Sequence, residues 1–363
     1  MKHIMVYGPF SDYFSFSTVA RGYCTALKAH HIPFTVWSTG SVENPYLDAP
    51  YDTGMVDAPV ALAIGYPTQV VPLLEGHDFK IMLTVCETDR IPTEWVEAAN
   101  FADQVWVPSE FCKTVFEKSG VKKPVFVATH GVSAFVKSDE KLEHNRIRLL
   151  HVSGAVSFPA RKGTAQLLRA MRLAQFDKPV MLDLLVPNVE DTEHAIAVAG
   201  VQHCVQVIRD VKPYGWSPDE LHQLLATYHA TVQPSRGEGF GLIPLETRAA
   251  GRTAILTDIE AHQTHINRAD VVIPTGAMEP LQTQGNASGY APTVTVDNIA
   301  EALIEFTANV EKYADLAQAN QTTICAGWNW QTVLMSSMYR LKKIMDRYSN
   351  IASVGALSGF GKG

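Results

Sequence analysis

The sequence predicts an α/β protein with two parallel sheets, each covered by helices on both faces. The chain has 363 residues, of which 46% are hydrophobic and 18% charged, which is enough apolar mass for two cores. Short uninterrupted apolar runs alternate with helical patterns along nearly all of it, as expected for strands buried on both faces. The runs fall into two successive sets, so we expect one sheet in each half.

The order of the runs defines the domains. The first set, within the first 131 residues, comprises HIMVYG, FTVW, VALAIGY, KIMLTV, QVWVP and VFVATHG, and the second comprises RLLHVSG, VMLDLLV, VQVIRD, ATVQPS and TAILTD. The most charged stretch lies between them, and we place the linker there, near 137–147. We therefore expect a first domain over 1–140 and a second over 147–330. The Gly/Ser-rich segment 351–363 is expected to be a flexible tail.

Two helix starts are marked by capping residues. Ser217 is followed by a proline at the first helical position and by Glu220 three residues after the cap, which predicts a capping box. Ser109 is expected to cap another helix, and Gly120 to close it.

Composition limits the function classes. The formal net charge of −7 does not indicate a nucleic-acid or anionic-membrane partner, although a local basic patch would suffice for either. The five cysteines are scattered and form no C-x-x-C pair, which favours a reduced, cytoplasmic protein. No apolar run approaches the ~20 residues of a membrane span. Basic residues near the end of the chain, at Arg340, Lys342, Lys343 and Arg347, predict a solvated helix face, with peripheral membrane contact as the alternative.

The stretch PSRGEGFGLIPLETRAAG, residues 234–251, predicts an anion site. An apolar strand ends before it, and its glycines allow a tight turn and close approach to a ligand. Pro244 suits a first helical turn, so a helix is expected to begin near Leu242 or Ile243 and to end at Gly251. Free N–H groups and the positive end of the helix dipole favour a phosphate there.

Two glutamates flank this predicted phosphate site. Glu246 lies one turn into the helix, where a carboxylate can accept two hydrogen bonds from a diol such as ribose. Glu238 lies in the loop, on the other side, and can accept from a second polyol. The pair suggests a nucleotide with sugars at both ends. The alternative is an ordinary helix start, since a glutamate in a first turn is common; the dinucleotide fingerprint G-x-G-x-x-G is not satisfied.

Residues 234–258 closely resemble the E-x7-E segment of retaining glycosyltransferases with the GT-B fold, in the large family of glycosyl transferases group 1. The segment departs from the family pattern at Ile243, which is inserted, and at Thr247 and Arg248. The resemblance extends over residues 1 to about 348 and is weak between 35 and 75. It implies two Rossmann-like domains facing a cleft, with a last helix over 331–348 that crosses back onto the first domain.

The resemblance also implies roles for residues of the second domain. Glu238 would hold the sugar hydroxyls and Glu246 the ribose, while Lys162 would neutralise the leaving diphosphate. Gly154 matches the turn where family members carry Gly-Arg, but no arginine follows it; Arg161 is expected to supply that charge, the alternative being a surface pair with Lys162. The other implied donor-binding residues are Gly8, Arg209, Gly239, Phe240, Gly241, Leu242 and Ile243.

The acceptor side departs from the family. Many relatives carry a histidine near the transferred sugar, where this chain has Glu87 and Asp89. Either carboxylate can orient or deprotonate an acceptor hydroxyl; the alternative is a cap for the next helix.

We expect a retaining glycosyltransferase that moves a sugar from a UDP- or GDP-sugar to an acceptor hydroxyl on a glycan, lipid or other molecule. The resemblance implies no metal and no cofactor besides the donor, and we do not assign zinc to the H-x-x-H of His262 and His265. Three alternatives stay open: a sugar-nucleotide epimerase or phosphorylase with the same fold, a transferase acting on a modified nucleic-acid base, and a binding protein without activity.

Overall fold

The computed structural model describes residues 3–40, 58–133, 142–153, 159–186, 188–209, 214–283 and 288–358. These residues form two six-stranded parallel sheets and one two-stranded antiparallel hairpin. The predicted α/β class with a parallel sheet in each half is confirmed.

The first sheet has the strand order β2-β1-β3-β4-β5-β6. Its strands are β1 Ile4–Gly8, β2 Phe34–Ser38, β3 Val60–Ile64, β4 Phe79–Leu83, β5 Gln104–Val107 and β6 Val125–Val127. Its helices are α1 Ser15–Ala29, α2 Pro67–Val70, α3 Thr93–Phe101 and α4 Glu110–Ser119, with a 3₁₀ turn over Val71–Leu74.

Strand β3 explains why this sheet reads as continuous apolar runs. All five of its residues are buried. Val60, Leu62 and Ile64 belong to the core that contains α1, while Ala61 and Ala63 belong to the core on the opposite face. A central parallel strand is covered on both faces, so it carries no polar alternation.

The second sheet has the order β12-β11-β10-β7-β8-β9. Its strands are β7 Ile147–Val152, β8 Val180–Leu185, β9 Val205–Val207, β10 Ala230–Gln233, β11 Thr253–Thr257 and β12 Val271–Ile273, and the hairpin is β13 Met278–Gln282 with β14 Ser288–Pro292. Its helices are α5 Pro159–Lys162, α6 Thr164–Leu173, α7 Val189–Ala199, α8 Pro218–Ala226, α9 Leu242–Ala249, α10 Glu260–Gln263, α11 Val296–Ala308 and α12 Val310–Gly327.

Both predicted caps are confirmed. The Ser109 hydroxyl accepts a hydrogen bond from the Cys112 N–H at the start of α4, and Gly120 closes this helix with a φ of 109°. Ser217 and Glu220 form the capping box that starts α8. Because side chains satisfy these helix-end N–H groups within a few residues, the sequence is sufficient to locate such ends.

The last described helices pack on the first domain. Helices α13 Trp330–Val333 and α14 Met335–Ser358 pack against α1, and Met338 and Leu341 join the core beneath it. Among the described helices, none combines the length and the apolar character needed to cross a bilayer.

Two boundaries predicted from the sequence can be compared with the structure, the start of the tail and the linker between the domains. Helix α14 continues to Ser358, so residues 351–358 are helical in the stretch where the sequence predicts a flexible tail. These residues contain no proline, and extending an existing helix avoids the cost of nucleation. Residues 137–141 of the predicted linker, 137–147, lie outside the described residues, and β7 begins at Ile147.

Candidate functional site

Residues 234–241, between β10 and the predicted helix, form what we call the glycine loop. The helix that follows it is α9, which begins at Leu242 as expected. Its N-cap is Gly241, whose φ of 95° lies in the left-handed region that favours glycine. Pro244 lies in the first turn. The helix ends at Ala249, and Gly251 follows with a φ of 71°, close to the predicted end.

The glycine loop packs against the first domain. A Cβ on Gly237 would lie 2.1 Å from the Glu87 carbonyl oxygen, and one on Gly239 would lie 1.7 Å from Cγ2 of Val85. The Ser109 hydroxyl donates to the Gly239 carbonyl at 2.8 Å. These two glycines are therefore required by the contact between domains, whereas the sequence reasoning assigned them to close approach of a ligand.

Four charged side chains meet beside this loop. Lys162 Nζ donates to Oε1 of Glu238 at 2.5 Å. Nη1 of Arg161 lies 3.2 Å from Oε2 of Glu238 and 3.2 Å from Oε1 of Glu87, and it donates to the Gly237 carbonyl at 2.8 Å. All four side chains are largely buried. The structure therefore brings together four of the predicted catalytic residues, which we call the charge cluster.

The backbone around Gly163 holds the two cations in place. Gly163 has a φ of 69°, and a Cβ there would lie 2.3 Å from the Pro234 carbonyl oxygen. The Arg236 N–H donates to the Arg161 carbonyl at 2.8 Å. The start of α6 is thus packed directly on the glycine loop, which explains why Lys162 reaches Glu238.

Ionisation within the charge cluster follows burial and neighbouring charge. Burial alone would raise the pKa of Glu238, but Lys162 and Arg161 hold that pKa well below its ordinary value. Burial raises the pKa of Glu87, and Arg161 only partly opposes it. Oε2 of Glu87 is buried and has no hydrogen-bond partner in the described part of the chain. The two carboxylates therefore differ: one is held as an anion, and the other is poised to accept a proton.

Glu246 is the second glutamate of the pair and lies apart from these ion pairs. It is 7% exposed, and burial raises its pKa to about 8. None of the described residues forms a hydrogen bond or ion pair with its carboxyl group. A buried carboxyl group without a partner is costly, so this position is suited to a ligand that brings hydrogen-bond donors.

Three other predicted residues serve contacts outside the charge cluster. Asp89 accepts from the Tyr290 N–H at 2.8 Å and pairs with Arg90, so it docks the β13–β14 hairpin. Gly8 is buried under α1, where a Cβ would lie 3.1 Å from Cβ of Ala20. Phe240 is buried between His130 and His265, with ring centroids 5.3 and 4.8 Å away.

Two predicted donor-binding residues differ in whether the structure describes them. Arg209 is described; it is exposed and pairs with Glu193 on α7. Gly154 lies outside the described residues. The backbone of Leu242 and Ile243 forms the first turn of α9, where helix N–H groups lack partners within the helix.

Sequence reasoning missed the place of His262. The H-x-x-H spacing was the available signal, but it suggested only a metal site. Nδ1 of His262 lies 2.9 Å from the Thr257 carbonyl oxygen, and its ring lies against Gly241. His265 donates from Nε2 to the Phe240 carbonyl at 2.7 Å and accepts from Arg248 at Nδ1.

Comparison with known proteins agrees with this architecture. Residues 146–284 match the sequence model of a family described as Glycosyl transferases group 1. No curated protein sequence is significantly similar to the chain.

Solved structures match it over nearly its whole length. Sucrose-phosphate synthase from Thermosynechococcus elongatus is 14% identical with a TM-score of 0.70, and the match covers 96% of this chain and 100% of that one. Anabaena HepE, in complex with UDP and glucose, is 14% identical with a TM-score of 0.64, covering 94% and 100%. WaaG, a glycosyltransferase of lipopolysaccharide biosynthesis, is 12% identical with a TM-score of 0.62, covering 92% and 99%. The chain thus has the GT-B fold, and its second domain matches the model of glycosyl transferases group 1.

Proposed function

We propose that the protein is a glycosyltransferase that moves a sugar from a nucleoside diphosphate sugar to an acceptor hydroxyl, with retention of anomeric configuration and without a metal ion. The observation that carries the proposal is the charge cluster beside the start of α9, with Lys162 and Arg161 on Glu238. It stands together with the match of residues 146–284 to glycosyl transferases group 1.

The donor would lie along α9. Its diphosphate would accept from the N–H groups at Leu242 and Ile243, in the field of the helix dipole. Lys162 and Arg161 would stabilise the negative charge that develops on the diphosphate as the bond to the sugar breaks. The unpartnered carboxyl group of Glu246 would accept from the ribose diol.

The transferred sugar would lie between Glu238 and Glu87. Glu238, held as an anion, would accept from the sugar hydroxyls. The acceptor hydroxyl would attack the anomeric carbon on the face from which the diphosphate departs, and its proton would pass to Glu87. The free oxygen of Glu87 and its raised pKa suit that role.

UDP is the first nucleotide to test. Two neighbours, HepE and the pneumococcal O-GlcNAc transferase GtfA, were solved with UDP. Since the sequence leaves both UDP- and GDP-sugars open, the two kinds of donor should be tested side by side. A panel of glycans, lipids and modified nucleic-acid bases would then test the acceptor.

The test is transfer of radiolabelled sugar from UDP- and GDP-sugars, with the product's anomeric configuration read by proton NMR. We expect an α-linked donor to give an α-linked product, and EDTA to leave the rate unchanged. Lys162→Ala should reduce turnover at least a hundredfold, whereas Lys178→Ala, a matched lysine on the surface, should not. An inverted product would refute retention, and epimerised donor or phosphate-dependent release of sugar 1-phosphate would refute transfer.

A further inference from the structure

The charge cluster carries no net positive charge to offset a diphosphate. Glu87 and Glu238 carry two negative charges, and Arg161 and Lys162 carry two positive ones, already joined in ion pairs of 2.5 to 3.2 Å. A bound diphosphate would add at least two further negative charges at a largely buried position. Uncompensated buried charge is costly, and sites respond by taking up protons.

His262 is placed to take up such a proton. Its side chain is 1% exposed. Since the Thr257 carbonyl oxygen can only accept, we assign the hydrogen to Nδ1, which leaves a lone pair on Nε2. In the described ranges of the chain no group hydrogen-bonds Nε2. This nitrogen lies over the N-cap of α9, because a Cβ on Gly241 would come within 2.8 Å of it.

We propose that His262 takes up one proton when a nucleoside diphosphate binds and donates the new N–H, at Nε2, to a phosphate oxygen at the start of α9. This inference rests on the proposed function, since it assumes that the diphosphate lies at that helix end. His262 would thereby add a third positive charge to the site, and it would carry that charge only while the ligand is bound.

The surroundings of His262 support a group that changes its charge. Burial lowers its pKa to about 4, while Glu238 opposes that effect and Lys162 and Arg248 add to it. The imidazole is therefore neutral at pH 7 in the free protein. A phosphate oxygen within hydrogen-bond distance would favour the charged form. The neighbouring His265 cannot take this proton at Nδ1 without losing the hydrogen bond from Arg248.

Linkage gives the sign of the effect. At pH values between the low pKa of His262 in the free protein and its higher pKa in the complex, binding takes up protons. The affinity must therefore fall as pH rises, by at most tenfold per pH unit for one proton. Three other groups can titrate on binding: Glu87 and Glu246 in the protein, and the terminal phosphate of the ligand, whose pKa is about 6. The comparison therefore has to isolate His262.

The experiment is calorimetric titration with UDP at pH 6, 7 and 8, each in two buffers of different ionisation enthalpy, to count protons. The proteins are the wild type, His262→Gln and His203→Gln, a control on an exposed turn. Ligand and other protein groups titrate in all three, so the difference reports His262. Nitrogen NMR of the wild-type imidazole with and without UDP gives a second readout that needs no variant.

We expect the wild type and H203Q to take up about one proton more per UDP than H262Q at pH 7. Their affinity advantage over H262Q should shrink as the pH rises to 8. Equal proton counts for the wild type and H262Q, or an imidazole that stays neutral in the complex, would overturn this inference. If UDP still binds in that case, the proposed function is unaffected. If neither UDP nor GDP binds, the proposed donor site fails, and the inference fails with it.

Discussion

The Glu87 carboxylate of the first domain lies 3.2 Å from the Arg161 guanidinium of the second. The same nitrogen of Arg161 also contacts Glu238 at 3.2 Å. One buried cation therefore joins the two domains and also orders the carboxylate proposed to hold the sugar. A change in the contact between the domains at Glu87 would therefore alter the charge cluster, and under the proposed function it would also affect donor binding.

This shared cation predicts strong energetic coupling between Glu87 and Arg161. In a double-mutant cycle with Glu87→Gln and Arg161→Met, we expect a coupling of about 1–3 kcal/mol in the free energy of unfolding, because both partners are buried. Urea unfolding of the four proteins measures it. The exposed pair Arg209 and Glu193 is the control and should show no resolvable coupling. Additive effects at the buried pair would contradict the prediction.

Glu246 predicts a pH dependence of stability. Its pKa in the folded protein, about 8, lies above the ordinary value of 4.5, so between these values the folded state binds more protons than the unfolded state. The contribution of Glu246 to stability should then fall as pH rises from about 4.5 to 8 and level off above it. Glu246→Gln removes this term.

The measurement is urea unfolding of the wild type and E246Q at pH 5, 6.5 and 8. The stability of E246Q relative to wild type should increase with pH, by at most about 1.4 kcal/mol per unit. Parallel curves would show that the carboxyl group is not destabilised by burial. In the presence of UDP the difference should narrow, since a ribose diol would favour the carboxylate.

A substitution at Gly237 tests the contact between the glycine loop and the first domain. A Cβ there would lie 2.1 Å from the Glu87 carbonyl oxygen, a backbone atom that cannot move aside as a side chain would. Gly237→Ala should therefore push the glycine loop from the first domain and lower turnover at least tenfold. Gly327→Ala is the control, because in the described structure no atom other than those of its chain neighbours and its own helix backbone lies within 4 Å of its Cβ position. Unchanged turnover in G237A would show that this contact is not needed for activity.

The parts of the site that sequence predicted are local in the chain. Gly241, Leu242 and Pro244 specify the start of α9 within four residues, through backbone conformation and a missing N–H. Glu246 then lies one turn into α9, and Glu238 lies in the loop before it. Ser217 and Glu220 specify the start of α8 in the same way.

The parts that sequence did not predict depend on contacts between distant segments. Glu87 and Asp89 are neighbours in the chain, yet only Glu87 reaches Arg161, since Asp89 binds the hairpin at Tyr290. His262 belonged to an H-x-x-H pattern, but the Thr257 carbonyl fixes its ring beside Gly241. No local pattern encodes which segment a side chain will meet after two domains dock.

Trp330 predicts how firmly the end of the chain is attached to the first domain. Its indole is 3% exposed and lies so close to α1 that a Cβ on Gly22 would come within 2.2 Å of the ring. Next to it, the Val132 N–H donates to the Trp328 carbonyl at 2.8 Å, so the last residues described before the linker pair with the segment that leads into α13. Removing the indole would leave a cavity next to this pairing.

We expect Trp330→Ala to lower the free energy of unfolding by about 3–5 kcal/mol, the usual cost of truncating a buried aromatic side chain. Urea unfolding followed by circular dichroism measures it, and Trp37→Ala, at a tryptophan that is 40% exposed, is the matched control with a smaller effect. Turnover should fall in W330A even below the unfolding transition, because the loosened contact would let the first domain, and Glu87 with it, move away from Arg161. Full activity in a destabilised W330A would show that the geometry of the charge cluster does not depend on how the last helices pack on the first domain.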